Sequence, residues 1–169
     1  MPRRPTPTTP PLPRRTAPEY DFGILLGLAY QTFVDHLNVC LAARGFADIR
    51  PAFGYVFRAL AEQPLTSGQF ALRLGITAQG AGKLVDQMVG AGYVERRQDP
   101  HDRRTKWLSL TARGQAALAA AHEIHQDTEQ ALAASVGASH VATLRQVLLH
   151  IVTPDKRHDG DTPRTLRLP

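Results

Sequence analysis

Residues 65–111 read LTSGQFALRLGITAQGAGKLVDQMVGAGYVERRQDPHDRRTKWLSLT, and this stretch carries most of the information about the fold. Thr66 and Gln69 have the spacing of a capping box, which predicts the start of a short helix. Gly75 predicts the end of that helix, and Thr77 predicts the start of a second one. The stretch therefore begins with a predicted helix-turn-helix unit.

The second half of the stretch has a different period. Between Tyr93 and Thr111 apolar and polar residues alternate, which predicts two β-strands. The strands are joined by the polar loop QDPHDRR at residues 98–104, so this part is a predicted β-hairpin with a basic tip. Residues 18–153 carry 12 basic and 12 acidic side chains, but residues 83–113 alone carry seven basic and four acidic ones.

Long helices are predicted on both sides of this unit. Residues 19–42 repeat apolar side chains at helical spacing, and Pro51 opens a further predicted helix. Residues 112–152 form two predicted helices separated by Gly137, with Ser139 as the predicted cap of the last one. The predicted fold is mainly α, an α+β winged helix-turn-helix with about six helices and a two-stranded β-wing.

Proline marks the predicted domain boundaries. Residues 1–17 are rich in proline and carry four arginines and no acid, which predicts a disordered basic arm. Residues 154–169 form a second predicted disordered tail, so the predicted domain spans residues 18–153, with the winged helix at about residues 50–111.

Composition and motifs argue against several classes of protein. The longest near-continuous apolar run, Gly23 to Tyr30, is eight residues long, against the roughly 20 that span a bilayer, so we expect no membrane span. Cys40 is the single cysteine, which excludes an internal disulfide. No catalytic or cofactor fingerprint is present, so we expect neither an enzyme nor a cofactor. His122 and His125 lack a second ligand pair, and we interpret them as solvated histidines, with zinc as the alternative.

The pattern favours a DNA-binding function. The net charge is +5, and a second helix of this size fits the major groove, where each base pair presents a distinct set of donors and acceptors. A basic hairpin beside that helix is able to reach phosphates or the minor groove.

Residues 65–111 also resemble the MarR family of bacterial transcriptional regulators. The most specific part is GYVERRQDPHDRR, followed by SLT and then Gly114, and the likeness extends over about residues 19–152. The resemblance implies a cytoplasmic, nucleoid-associated homodimer in which helices 19–42 and 112–152 pair between subunits. Each winged helix then docks in one half-site of a pseudo-palindromic double-stranded operator.

The predicted DNA-binding residues lie on the second helix of the unit, on the hairpin and at the helix caps. They are Thr66, Thr77, Gln79, Gly80, Gly82, Lys83, Arg96, Arg97, Arg103, Arg104 and Lys106. Gln79 is able to pair with adenine, and Lys83 with guanine or a phosphate. The family usually has larger polar residues where this chain has Gly80 and Gly82. Either the backbone approaches DNA closely there, or base readout is sparse and DNA shape matters more.

Further roles follow from the resemblance. Asp102 is expected to brace a tip arginine while Arg104, or else Arg103, enters the minor groove, and Asp99 is expected to form the turn. Trp107 is interpreted either as a packing residue or as a DNA-proximal side chain. The expected dimer interface contains Phe22, Leu25, Leu144, Leu148 and Ile151.

The resemblance also places a crevice for a small aromatic or phenolic ligand next to the winged helix. Its expected lining is Tyr30, His36, Arg44, Phe53 and Phe57. We therefore expect a repressor that is released from DNA when a ligand shifts the population of conformations. Two alternatives stay open: a protein–protein adaptor without specific DNA binding, and a redox-sensing regulator that acts through Cys40.

Overall fold

The computed structural model describes residues 20–99, 102 and 105–153. The predictions for the N-terminal arm, for the C-terminal tail and for Arg103 and Arg104 lie outside the described residues.

The described part of the chain forms six helices and three short strands, as the mainly α prediction requires. In chain order these are α1 (Phe22–Ala43), α2 (Pro51–Glu62), β1 (Leu65–Thr66), α3 (Ser67–Leu74), α4 (Ala78–Gly90), β2 (Val94–Gln98), β3 (Lys106–Leu110), α5 (Ala112–Val136) and α6 (Ala138–Val152). The winged helix-turn-helix is thus α3 and α4 followed by the β2–β3 hairpin.

Local capping chemistry fixes the two short helices. The Thr66 hydroxyl accepts a hydrogen bond from the Gln69 backbone N–H at 3.3 Å, and the Gln69 side chain accepts one from the Thr66 N–H at 2.9 Å. Gly75 ends α3 in the left-handed region at φ 62°, where a side chain is strained. The Thr77 hydroxyl then caps α4 by accepting from the Gly80 N–H at 3.1 Å. The predicted helix boundaries at these caps are confirmed.

The sheet has one strand more than we predicted. Leu65 and Thr66 form the short strand β1, which pairs antiparallel with Leu108 and Trp107 of β3, so the strand order is β1-β3-β2. A strand of two residues has no periodicity to read, and it forms because the hairpin provides an edge next to the start of α3. The two-stranded wing of the prediction is therefore part of a three-stranded antiparallel sheet.

The predicted cap of the last helix is wrong. The chain turns at Gly137, with φ 97°, so α6 already begins at Ala138 and has no side-chain cap. Ser139 lies inside the first turn, where its backbone carbonyl accepts from the Thr143 hydroxyl at 3.0 Å.

The main core lies inside the winged-helix half of the molecule. Its largest fully buried side chains come from α2, α3, α4, β2, β3 and the residue that precedes β2: Phe53, Val56, Phe70, Val85, Met88, Tyr93, Val94 and Leu108. A smaller cluster of Leu41, Ala120 and Ile124 joins the end of α1 to α5. None of the residues of α6 is buried.

The first helix corrects our expectation that no segment is able to span a membrane. By length and composition α1 passes that test, and almost none of it is buried. The sequence argument used the longest uninterrupted apolar run, but polar residues such as Gln31 and Asp35 interrupt that run without making the helix hydrophilic overall. Its C-terminal end packs on α5 through the buried Leu41.

Candidate DNA interface and the adjoining crevice

The second helix of the unit, α4, turns a polar strip toward solvent. Ala81, Val85 and Met88 are fully buried and fix the rotation of the helix. Because residues three and four apart share a helix face, Gln79 and Lys83 lie together on the opposite, exposed side.

The two glycines on this side of α4 differ in the room around them. A Cβ on Gly82 would meet nothing within 4 Å, and one on Gly80 would meet the Thr77 hydroxyl at 3.2 Å. A helical glycine is less favourable than alanine by about 1 kcal/mol. Among the described residues nothing in the subunit accounts for this cost at Gly82.

The basic residues of the wing differ in their surroundings. Arg96 pairs with Asp86 of α4 at 2.6 Å, and Arg97 pairs with Glu95 of its own strand at 2.6 Å. Lys106 is exposed and, like Lys83 of α4, takes part in no ion pair with the residues that the structure describes.

Hydrogen bonds hold the turn at the end of the wing. The Asp99 carboxylate accepts from the Asp102 N–H at 3.2 Å and from the Trp107 indole N–H at 2.7 Å. The Asp102 carboxylate accepts from the Thr105 hydroxyl at 2.8 Å. Trp107, partly buried in β3, therefore anchors the turn through its indole N–H. Whether Asp102 braces a tip arginine concerns residues 103 and 104, which lie outside the described part of the chain.

The two threonines predicted to contact DNA are placed differently. Thr66 is partly buried, and both its strand pairing with Trp107 and its capping box tie it to the scaffold. Thr77 is exposed at the N-terminus of α4, where backbone N–H groups and the helix dipole favour a phosphate.

A crevice of about 960 Å³ lies beside the winged helix, between α1, α2, α5 and the base of β3. Its aromatic and basic wall is formed by Tyr30, Tyr55, Phe57, Arg58, His122 and His125. Burial lowers the pKa of His125, and the neighbouring charges of Arg58 and His122 lower it further. The lowered pKa favours the neutral imidazole of His125, so the permanent positive charge of this wall comes from Arg58.

The predicted ligand residues are only partly brought together there. Tyr30 and Phe57 line the crevice, whereas His36, Arg44 and Phe53 are not among its lining residues. Phe53 is buried in the core, and Arg44 pairs with Glu123 of α5 at 2.9 Å. His36 Nε2 lies 3.6 Å from the Cys40 sulfur, one turn along α1.

Sequence reasoning missed the basic side chains of the crevice. His122 and His125 share one face of α5, which their spacing showed, but their common neighbour Arg58 comes from α2. A contact between residues this far apart in the chain leaves no local pattern. The composition of the helix face was the only available signal.

The residues of the expected dimer interface are all exposed in the single subunit. Their exposed fractions are 63% for Phe22, 47% for Leu25, 46% for Leu144, 38% for Leu148 and 50% for Ile151. They belong to a larger set of exposed apolar side chains on α1 and α6. An exposed apolar surface of this kind is typical of an interaction site.

Comparison with known proteins agrees with this architecture. Residues 48–105 match the MarR family model. The chain is 34% identical to the multiple antibiotic resistance protein MarR of Escherichia coli (strain K12) over 71 residues, which make up 41% of this chain and 49% of that protein. The match thus spans about half the length of this curated relative.

Two solved structures extend the likeness to most of the chain. A mutant of Escherichia coli MarR complexed with operator DNA has a TM-score of 0.61 and 27% identity, covering 77% of this chain and 92% of that one. The transcriptional repressor CouR, bound to a 23-mer DNA duplex, has a TM-score of 0.62 and 27% identity, covering 77% and 91%. The family model matches residues 48–105, and the curated relative and the solved structures show that the chain is similar in sequence and fold to winged helix regulators of the MarR family.

Proposed function

We propose that this protein is a sequence-specific regulator that binds double-stranded operator DNA as a cytoplasmic homodimer and represses transcription. The observation that carries the proposal is the exposed strip of α4, which presents Gln79 and Lys83, together with the exposed lysine Lys106 of the wing. A glutamine amide and an ammonium group are suited to base edges and phosphates in the major groove. The solved relatives in complex with DNA support this reading of the strip.

The proposed dimer places the apolar sides of α1 and α6 against those of a second copy. Their exposed leucines and aromatic residues would then be buried, which accounts for the length and apolar composition of α1 without a membrane. A two-fold axis relates the two α4 helices, so the operator is expected to be pseudo-palindromic, with half-sites about one helical turn apart.

Selection of bound duplexes from a random pool tests this proposal. We expect enrichment of two related half-sites in inverted orientation, and a weaker, altered enrichment with Gln79→Ala. Because Gln79 is exposed and makes no hydrogen bond with the described residues, this variant should fold normally. A pool that stays random after repeated rounds would favour the adaptor function instead.

A second proposal concerns release from DNA by a small aromatic anion that binds in the crevice. Arg58 supplies positive charge, His122 and His125 supply ring nitrogens for hydrogen bonds, and Tyr30 and Phe57 supply aromatic surface. Such a ligand acts only if it binds the conformation without DNA more tightly, and a tenfold loss of operator affinity requires about 1.4 kcal/mol of coupling.

Calorimetric titration with phenolic and aromatic acids tests the ligand proposal. We expect measurable binding to the free dimer and weaker binding to its operator complex, by the same factor that the ligand lowers operator affinity. Arg58→Gln should weaken ligand binding, whereas Arg44→Gln, outside the crevice lining, should not. Equal affinity of all acids for both forms would contradict this proposal. Loss of operator binding on peroxide treatment, absent in Cys40→Ser, would then support redox sensing.

A further inference from the structure

Two neighbouring arginines of β2 point to opposite faces of the sheet. Arg97 pairs with Trp107, whereas Arg96 pairs with Leu108, whose side chain is fully buried. Residues directly opposite each other in antiparallel strands project on the same side. Arg96 therefore leaves the sheet on its core side, where α4 packs, and its side chain is 33% exposed, against 72% for Arg97.

On that side Arg96 reaches the exposed strip of α4. Its Nη2 donates to Asp86 Oδ1 at 2.6 Å. Asp86 follows Lys83 by three residues and Gln79 by seven, so these side chains share one face of the helix. The ion pair thus joins the strip that we propose to face DNA with the first strand of the wing.

We infer that Arg96 is a positioning residue, which holds the wing at a fixed angle to α4 through Asp86 and makes no phosphate contact. This inference rests on the proposed DNA-binding function. The Nη2 of Arg96 already donates to Asp86, so a phosphate contact through this nitrogen would separate the pair and leave an unpaired carboxylate next to the negatively charged duplex. Lys83 and Lys106, without ion pairs to the described residues, are available for phosphates at no such cost.

Arg97 forms an ion pair within its own strand and so serves as a comparison for Arg96. Its acid is Glu95, two residues earlier on the same strand, with Oε1 at 2.8 Å from the Arg97 Nε. Glu95 also accepts from the Ser109 hydroxyl of the adjacent strand at 3.3 Å. This pair makes no link to α4, so its loss leaves the angle between wing and helix unchanged.

Removing the two acids one at a time is expected to change operator affinity in opposite directions. Asp86→Ala and Glu95→Ala each take one negative charge from the proposed DNA side of the subunit. We expect Asp86→Ala to weaken operator binding about three- to tenfold, the effect of losing one exposed ion pair in each subunit. Glu95→Ala should bind at least as tightly as the wild type. Tighter binding by Asp86→Ala would overturn the inference.

The salt dependence of binding separates positioning from contact. Each phosphate contact contributes roughly −0.9 to the slope of log affinity against log salt. We expect Arg96→Ala to weaken binding with an unchanged slope, whereas Lys106→Ala flattens it. The double variant Asp86→Ala/Arg96→Ala should bind like Arg96→Ala alone, because both changes remove the same ion pair.

Two results would contradict the inference and are distinguishable from each other. A flatter slope in Arg96→Ala, with the double variant binding more tightly than that single variant, would identify Arg96 as a phosphate contact and leave the proposed function intact. Absence of specific binding by the wild type would overturn the proposed function and this inference with it. Circular dichroism and thermal unfolding of each variant confirm that the comparison is made between folded proteins.

Discussion

The Arg113 guanidinium lies 4.8 Å from the centre of the Tyr93 ring and donates a hydrogen bond to the Tyr93 hydroxyl at 3.1 Å. Arg113 is in the first turn of α5, and Tyr93 immediately precedes β2. The Tyr93 hydroxyl in turn donates to Asp48, in the connection between α1 and α2. Three separate segments thus meet where the long helix α5 joins the winged helix, so this contact sets how the two parts are oriented.

Tyr93→Phe should lower the free energy of unfolding by about 1–2 kcal/mol at neutral pH, because hydrogen bonds to charged partners are lost. Burial, followed by the hydrogen bond to Asp48, raises the pKa of Tyr93 to about 12 from 10.0. Because the folded state favours the protonated hydroxyl, this group contributes fully to the free energy of unfolding below pH 10, where tyrosine is protonated in both states. The contribution is lost as the pH rises through about 12. Urea unfolding at a series of pH values should show that the free energy of unfolding falls less at alkaline pH in the variant than in the wild type. An identical pH dependence in both proteins would contradict this assignment.

Gly114→Ala should destabilise the protein by about 3 kcal/mol or more, because the new methyl group has no room. A Cβ at this position would lie 2.1 Å from the Tyr93 carbonyl oxygen. Gly54→Ala on α2 is the control, since a Cβ there meets nothing within 4 Å. Thermal and urea unfolding measure both. Equal stability of the two variants would show that the start of α5 is free to move away from Tyr93.

Gly82→Ala should change stability and DNA binding in opposite directions. The fold gains up to about 1 kcal/mol, because alanine is the better helix former and nothing obstructs its methyl group. If the proposed operator approaches the α4 backbone closely, the same methyl group weakens binding, by roughly tenfold for about 1.4 kcal/mol of steric cost. Unfolding and fluorescence anisotropy measure the two effects. Unchanged operator affinity would favour sparse base readout at this position.

Leu148→Glu should dissociate the proposed dimer, because each new carboxylate would be buried in the apolar interface at a cost of about 2 kcal/mol or more. Leu72→Glu is the matched control, since Leu72 is 77% exposed and belongs to α3 of the winged helix, not to α1 or α6. Analytical ultracentrifugation measures the mass of each. A Leu148→Glu protein that sediments like the Leu72→Glu protein would exclude this face as the dimer interface.

Sequence reasoning succeeded where the cause of a structure is local. Thr66 and Thr77 cap helices within three residues of themselves, and the alternation between Tyr93 and Thr111 is a property of the strands alone. It failed at β1, whose two residues become a strand only because β3 lies beside them. Ser139 was misassigned because Gly137 turns the chain one residue earlier.

The residues of the candidate site divide in the same way into those with a local cause and those placed by contacts between separate elements. The exposed side of α4 followed from helical spacing, and Gln79 and Lys83 lie on it. The partner of Arg96 did not follow, because Asp86 comes from another element and only the packing of α4 on the sheet brings the two together. The sequence also did not predict that Arg58 lines the same crevice as the α5 histidines, because these residues come from different helices.

The central claim is that the protein recognises a DNA sequence, and the ratio of two affinities tests it most directly. Fluorescence anisotropy at physiological salt gives the Kd for the selected pseudo-palindromic duplex and for a scrambled duplex of the same length and composition. The proposed function predicts that the selected duplex binds about a thousandfold or more tightly. Equal Kd values for the two duplexes would contradict it.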